Sequence, residues 1–286
     1  MSTMQTVTDV FSLQAVVADL RRGGRRIALV PTMGNLHAGH HSLLRIARER
    51  ADVVVASVFV NPTQFGPNED FARYPRTPDA DAEGLAAHGC DVLFLPSVAD
   101  LYPYGAERTV TISVPELPDL LEGAIRPGHF DGVATVVAKL FNLVQPQVAV
   151  FGQKDYQQLL VIRRMVRDLG YPIEIVAAPI VREANGLAMS SRNQYLSAEQ
   201  RERASAIHAT LLRMRDAVRD SPQTLAAIEA QARASLGEAG LQPDYAVIRR
   251  AADLGDPEPG KRDGLVGLVA ARSGSTRLID NLLFDV

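Results

Sequence analysis

The chain has 286 residues, 47% of them hydrophobic and 22% charged, which excludes a disordered or fibrous protein. That length exceeds the usual single core and predicts two domains. Thirty Lys and Arg against 33 Asp and Glu leave a net charge of −3, with no block of five like charges, so no field recruits nucleic acid. The single cysteine, Cys90, rules out an intrachain disulfide and a thiolate-based zinc site. The opening Met1–Arg26 stretch carries Asp9 and Asp19 without a basic leader and does not read as a signal peptide. Apolar runs such as Val53–Val60 fall short of the roughly 20 residues a membrane span needs. A cytoplasmic protein with no membrane partner is expected.

In chain order, Ile27–Val30 is a short apolar strand, followed by a glycine-containing turn and a helical pattern over about His41–Arg50. Val53–Val60 is β-branched and nearly continuous, as in a strand covered on both faces. Asp79–His88 reads as a helix ended by Gly89, and Val92–Leu95 as the next strand. Gly132–Val144 reads as a helix, Val148–Phe151 as a strand, Tyr156–Leu169 as a helix stopped by Gly170, and Ile173–Val176 as a strand. This alternation predicts a Rossmann-like, doubly wound parallel sheet, whose ligands sit beyond the carboxyl ends of the strands. After residue 180 the texture changes. Asn185-Gly186 within Val181–Met189 is a hairpin signal. Helical patterns cover about Ala198–Asp220 and Gln223–Glu238, and strands follow near Tyr245–Ile248, Gly264–Ala271 and Thr276–Asp280. A smaller C-terminal α+β domain is expected over 181–286, behind a Rossmann-like domain over 1–180.

The segment richest in chemistry is Pro31-Thr32-Met33-Gly34-Asn35-Leu36-His37-Ala38-Gly39-His40. It lies between a strand and its helix, where a turn and a helix N-terminus bind phosphate. Gly34 and Gly39 allow close backbone approach. His37 and His40, three apart, share one face of a first helical turn. Lys154 follows a strand and offers a point charge for phosphate. Met189–Arg192 puts two hydroxyls and a guanidinium after the hairpin. Gln64 and Gln158 can read hydroxyl and carboxylate groups without repelling an anion. Taken singly, each glutamine reads as surface, Tyr74 as a packing residue and Arg126 as a solvated loop arginine. Asp81 is a candidate for assisting Mg²⁺, although an exposed helix-start carboxylate is the plainer reading.

The HxGH element in this run is similar to the signature of the nucleotidyltransferase superfamily. The longer run PTMGNLHAGH resembles the pantothenate synthetase (pantoate–β-alanine ligase) family. Further blocks match in order: Val58–Gly66, Arg73–Thr77, Arg126–Phe130, Gly152–Gln158 and Met189–Asn193. The resemblance implies ATP-dependent condensation of (R)-pantoate with β-alanine to pantothenate, AMP and diphosphate, through a pantoyl adenylate. It implies His37, His40, Lys154 and Arg192 as catalytic residues, with ATP also meeting Met33, Gly34, Asn35, Leu36, Gly39, Gly152, Gln153, Asp155, Val181, Met189, Ser190 and Ser191. Gln64, Gln158, Asn61, Tyr74, Arg126 and His129 are implied around the other substrates, Asp81 beside a metal, Mg²⁺ with ATP, residues 181–192 as a lid, and a homodimer. The chain departs from the family at Gln153, where many relatives place Glu, and beside Asp81, where some have neighbouring acidic residues and this chain has Ala80, with Gly84 one turn later.

Gly255–Lys261 imitates the opening of a P-loop, but Arg262 stands where a hydroxyl would hold Mg²⁺, and two prolines remove N–H donors. His41, His88 and His208 read as structural. Two other function classes stay open. One is a nucleotidyltransferase acting on a phosphorylated acceptor, which the absence of a further phosphate-binding cluster weakens. The other is a regulatory nucleotide-binding module with a decayed site, against which the retained His37, His40, Lys154 and Arg192 argue.

Overall fold

In the computed structural model, which describes residues 4–67 and 69–284, the alternating apolar runs of the first half pair as six parallel strands. The elements are β1 (Gln5–Val7), α1 (Val10–Arg22), β2 (Ile27–Thr32), α2 (Ala38–Arg48), β3 (Val53–Val58), α3 (Pro78–Ala87) and β4 (Val92–Phe94). They continue through α4 (Val98–Leu101), α5 (Leu121–Ile125), α6 (His129–Val144), β5 (Val148–Gly152), α7 (Tyr156–Asp168) and β6 (Glu174–Ala178). The strand order is β1-β4-β3-β2-β5-β6, every pair parallel. From β2 the chain builds outward on one side through β3 and β4, then returns to the other side at β5. The order therefore reverses between β2 and β5, which is where such sheets bind ligands. The Rossmann-like fold expected from the alternation is present.

Strand periodicity explains the layering. Ala28 and Val30 of β2, with Val54 and Ala56 of β3, share a face with Leu43, Leu44 and Ala47 of α2 and Leu85 of α3. Each leucine buried in this way is worth roughly 1.5–3 kcal/mol. Ile27, Leu29 and Val55 alternate to the opposite face and are also buried, and α6 packs against β2 and α1. Cys90 lies in the first layer, and burial pushes its thiol up to about 12, so it is inert rather than reactive.

The chain clusters as two units. The first runs up to Gln153 and includes Gln157–Pro179; the second takes Lys154–Tyr156 and the residues from Ile180 onward. The second contains α8 (Ala198–Ala204), α9 (Ala206–Asp220), α10 (Leu225–Glu238) and the antiparallel strands β7 (Gln242–Arg250), β8 (Leu265–Ser273) and β9 (Thr276–Phe284). Its core gathers Leu211, Met214, Ile228, Leu236, Val269 and Phe284.

Several boundaries differ from the sequence reading. The expected single helix over 198–220 is broken at Ser205, whose hydroxyl donates back to the Glu202 carbonyl at 2.6 Å, a bond that bends helices. Pro243, which has no N–H for the ladder, coincides with a register shift in β7. Asn185-Gly186 does turn the chain, with Gly186 at φ +92° and one antiparallel bridge from Arg182 to Ala188. The helix after the first strand starts at Ala38 rather than near His41, which places His40 inside its first turn. β1 and α1 had no counterpart in the sequence reading.

Candidate active site

The 33–40 turn leaves β2 beside the point of strand reversal. Gly34 and Asn35 are consecutive left-handed residues, with φ of +82° and +51°, a conformation open to Gly and tolerated by Asn. The Thr32 hydroxyl donates to the Ser57 carbonyl at 2.8 Å and accepts the Gly34 N–H at 3.3 Å.

His37 is the N-cap of α2. Its Nδ1 accepts the Gly39 N–H at 3.1 Å, while His40 Nδ1 accepts the His37 N–H at 3.3 Å. The two histidines thus cap the helix reciprocally, their ring centroids 4.2 Å apart. An Nδ1 that accepts carries no proton, so each neutral ring keeps its proton on Nε2. Both rings are N–H donors at Nε2, at a helix N-terminus that itself favours anions.

Asn61, Gln64, Arg126 and His129 form one network. Asn61 Nδ2 donates to Gln64 Oε1 and to the Gly132 carbonyl, both at 3.1 Å, and Asn61 Oδ1 accepts from the Tyr102 hydroxyl at 2.7 Å. Gln64 Nε2 reaches Met33 Sδ at 3.1 Å, linking this network to the turn. Gly132 is required for the close approach, since a Cβ there would lie 2.3 Å from the Thr63 carbonyl oxygen. Arg126 forks onto Glu69 at 2.7 and 2.6 Å and donates Nη1 to His129 Nε2 at 3.0 Å. His129 Nδ1 then donates to the Gln64 carbonyl at 2.8 Å, the tautomer opposite to that of His37 and His40. Burial pushes the His129 imidazole down to about 4, with Arg126 adding to the shift. Burial alone would raise the Glu69 carboxyl, but the hydrogen bond and charge of Arg126 hold it below the ordinary range. Tyr74 is buried with its ring edge-on to Phe65.

The adjacent glutamines of α7 separate by role. Gln157 is buried and pins the 117–122 segment, accepting the Glu122 N–H and donating to the Leu117 and Leu120 carbonyls. Gln158 is half-buried one position on. Gly152 closes β5, and the Gln153 N–H bonds to the Ala178 carbonyl at 2.9 Å. Lys154 Nζ lies 3.7 Å from Asp155 Oδ2. The Asn281 amide of β9 donates to the Lys154 carbonyl at 2.9 Å, and the Tyr156 hydroxyl to that of Ala251 at 2.8 Å, tying residues 154–156 into the second unit.

Within that unit the Met189 N–H bonds to the Val181 carbonyl at 2.9 Å, and Ser190 Oγ accepts the Arg192 N–H at 3.2 Å. Sequence reasoning missed what holds this loop. Arg201 forks onto Glu183 and donates to the Asn193 carbonyl. Buried Asn193 donates to Glu183 and to the Ala188 carbonyl. Arg182 bonds both oxygens of buried Asp280, at 2.6 and 3.1 Å. Asn193 stood in a matched motif, but no local pattern marks Arg201 or Asp280.

Asp81 is not where a metal-assisting carboxylate is expected. It is 2% exposed rather than an open helix start. Its Oδ1 accepts the Leu36 N–H at 2.8 Å, and its Oδ2 the Asn35 N–H at 3.0 Å and the Thr77 hydroxyl at 3.1 Å. No group of three or more His, Cys, Asp or Glu gathers among the described residues that could hold a metal. With its oxygens taken by the Leu36, Asn35 and Thr77 donors, the Asp81 carboxylate as placed does not fit a Mg²⁺ ligand. Nor is any helix of the described residues long and apolar enough to cross a membrane.

Residues 5–283 match the family model of pantoate-beta-alanine ligase. A pantothenate synthetase of Xylella fastidiosa (strain M12) is 63% identical over 98% of this chain and all of its own length. One from Xanthomonas oryzae pv. oryzae is 60% identical over 98% of this chain and all of its own. The solved structure of pantothenate synthetase from Thermus thermophilus superposes with a TM-score of 0.91 at 48% identity, over 98% of this chain and 99% of that one. The Francisella tularensis ligase, solved with an ATP ligand and β-alanine, gives 0.81 at 34% identity over 99% and 98%. With full-length identity at this level, the chain belongs to the pantoate–β-alanine ligase family.

Proposed function

We infer that the protein condenses (R)-pantoate with β-alanine at the expense of ATP, releasing pantothenate, AMP and diphosphate. The observation that carries this reading is where the family's motifs fall. The 33–40 turn leaves β2 and the 152–155 segment leaves β5, the two strands flanking the reversal of the sheet.

In the first step an oxygen of the pantoate carboxylate attacks the α-phosphorus in line, and the bond to diphosphate breaks, leaving a pantoyl adenylate. In the second the β-alanine amine attacks the acyl carbon, loses a proton, and AMP departs. Two anions must meet in the first step, so donors aimed at developing phosphate charge do most of the work. His37 and His40 supply Nε2–H donors at the start of α2. Lys154 and Arg192 supply full positive charges, with Ser190 and Ser191 as hydroxyl donors. Gln64 and Gln158 hold pantoate. Asn61, Arg126 and His129 serve that substrate through Gln64, whose amide and carbonyl they hold, and Tyr74 packs edge-on against Phe65. Magnesium, when bound, would neutralise phosphate charge. A cytoplasmic homodimer is the working form that the family resemblance supports, and light scattering at the mass of a single chain would remove the dimer.

Labelled pyrophosphate should exchange into ATP when pantoate is present and β-alanine is absent, because the amine has no part until diphosphate has left. Exchange that appears only with β-alanine would overturn the order of steps. No exchange in a protein that still binds ATP would overturn the ligase reading.

A further inference from the structure

We propose that Asp81 is a positioning residue for adenylation, a buried carboxylate that sets the backbone of the ATP-binding turn, and not a metal ligand. The proposal rests on the reading that the 33–40 turn receives the phosphates. Asp81 lies on the first turn of α3, 46 residues beyond Asn35. Asn35 and Leu36 precede α2, which begins at Ala38, so the helix ladder cannot supply acceptors for their N–H groups. Asp81 takes both, one on each oxygen, at 3.0 and 2.8 Å, and its Oδ2 takes the Thr77 hydroxyl as well. An ionised carboxylate is the side chain with enough lone pairs for three such donors, and charge strengthens each bond.

The fit around Gly34 points the same way. A Cβ there would stand 2.9 Å from Asp81 Oδ2 and 3.1 Å from Val58 Cγ1, so the carboxylate occupies the side-chain space of the turn. A metal ligand would instead keep lone pairs facing an ion and share it with other hard oxygens. Leu36 immediately precedes His37, whose N–H and Nδ1 complete the reciprocal histidine cap. Freeing the Leu36 amide would therefore tilt the pair of Nε2–H donors. A misplacement of about 1 Å can cost on the order of 10²-fold in rate.

Asp81→Asn keeps the shape of the side chain but faces one amide with an NH2 group. Two readouts test it. In protein free of ATP and metal, hydrogen exchange of the Asn35 and Leu36 amides should quicken by about tenfold or more, a local opening. In the pantoate-dependent exchange assay kcat should fall by roughly tenfold to 10²-fold, while the Mg²⁺ concentration for half-maximal rate stays where it was. Thr77→Val, which removes only the hydroxyl donor, should move both readouts in the same directions by less, and it carries the test if Asp81→Asn does not fold. Unchanged amide exchange overturns the proposal. So does a rate restored by raising Mg²⁺, which would mark Asp81 as a metal ligand. Failure of the unaltered protein to exchange pyrophosphate would sink the ligase reading while leaving the amide readout to stand or fall alone.

Discussion

In the 33–40 turn the chain is held through its backbone. Two N–H groups end on Asp81, one on Thr32, and the two imidazoles accept the N–H groups of His37 and Gly39. In the 181–193 loop the support comes chiefly from charged side chains of distant elements: Arg201 from α8 onto Glu183, and Asp280 from β9 onto Arg182. Both segments carry residues proposed to meet phosphate, yet they depend on different physics. A turn whose left-handed residues are Gly34 and Asn35, and whose amides are already taken, two of them by Asp81 of α3, is fixed through its backbone. A loop resting on ion pairs, of which Arg182–Asp280 is largely buried, depends there on a charge that is costly once its partner is lost. The first arrangement ties a turn to backbone hydrogen bonds, the second ties a loop to side-chain charges.

The sharpest way to break this contrast is Asp280→Ala. Asp280 has a side chain only 3% exposed and Arg182 18%, so the substitution leaves a largely desolvated guanidinium without its carboxylate. Removing one partner of a buried pair costs about 3–5 kcal/mol, and the urea midpoint should fall accordingly. An unchanged midpoint would show that the loop does not lean on this pair.

Next in size is His40→Ala. It should leave the fold intact by circular dichroism and slow adenylation by roughly 10²–10³-fold, the usual cost of one electrostatic donor. The effect should appear in pyrophosphate exchange, with a stability loss of about 0.5–2 kcal/mol from the missing cap, smaller than that of Asp280→Ala. Near-normal exchange by a well-folded variant would remove His40 from the chemistry.

An effect that vanishes at neutral pH lies outside both regions, at His129. Its folded value of about 4 is below the roughly 6.5 of an unfolded histidine. Above pH 6.5 both states are neutral and nothing changes. As pH falls from about 6.5 to 4 the unfolded chain takes up a proton that the native chain does not, so stability declines, by at most about 1.4 kcal/mol per pH unit. His129→Gln should flatten that part of the stability profile, and an identical acid slope in the variant would show that another group is responsible.

Although the local signals of β1, α1 and Ser205 were not read, most of what was legible in the chain is encoded over short distances: the alternation that makes a parallel sheet, the turn residues at 34–35 and 185–186, the histidine spacing at 37 and 40, and the ordered blocks that mark the family. These signals are legible because they act between residues three or four apart or within one strand. Tertiary structure alone decided which polar residues support which. Asp81 bonds backbone 45 and 46 residues away, Tyr102 orients Asn61 across 41, and Arg182 meets Asp280 across 98. Gln157 and Gln158 are indistinguishable as neighbours in the chain, yet a helix buries one against three backbone groups and leaves the other half-exposed. Hydrogen-bond partners at that range follow from how the elements pack, and packing is set by the summed burial of many side chains rather than by any local pattern.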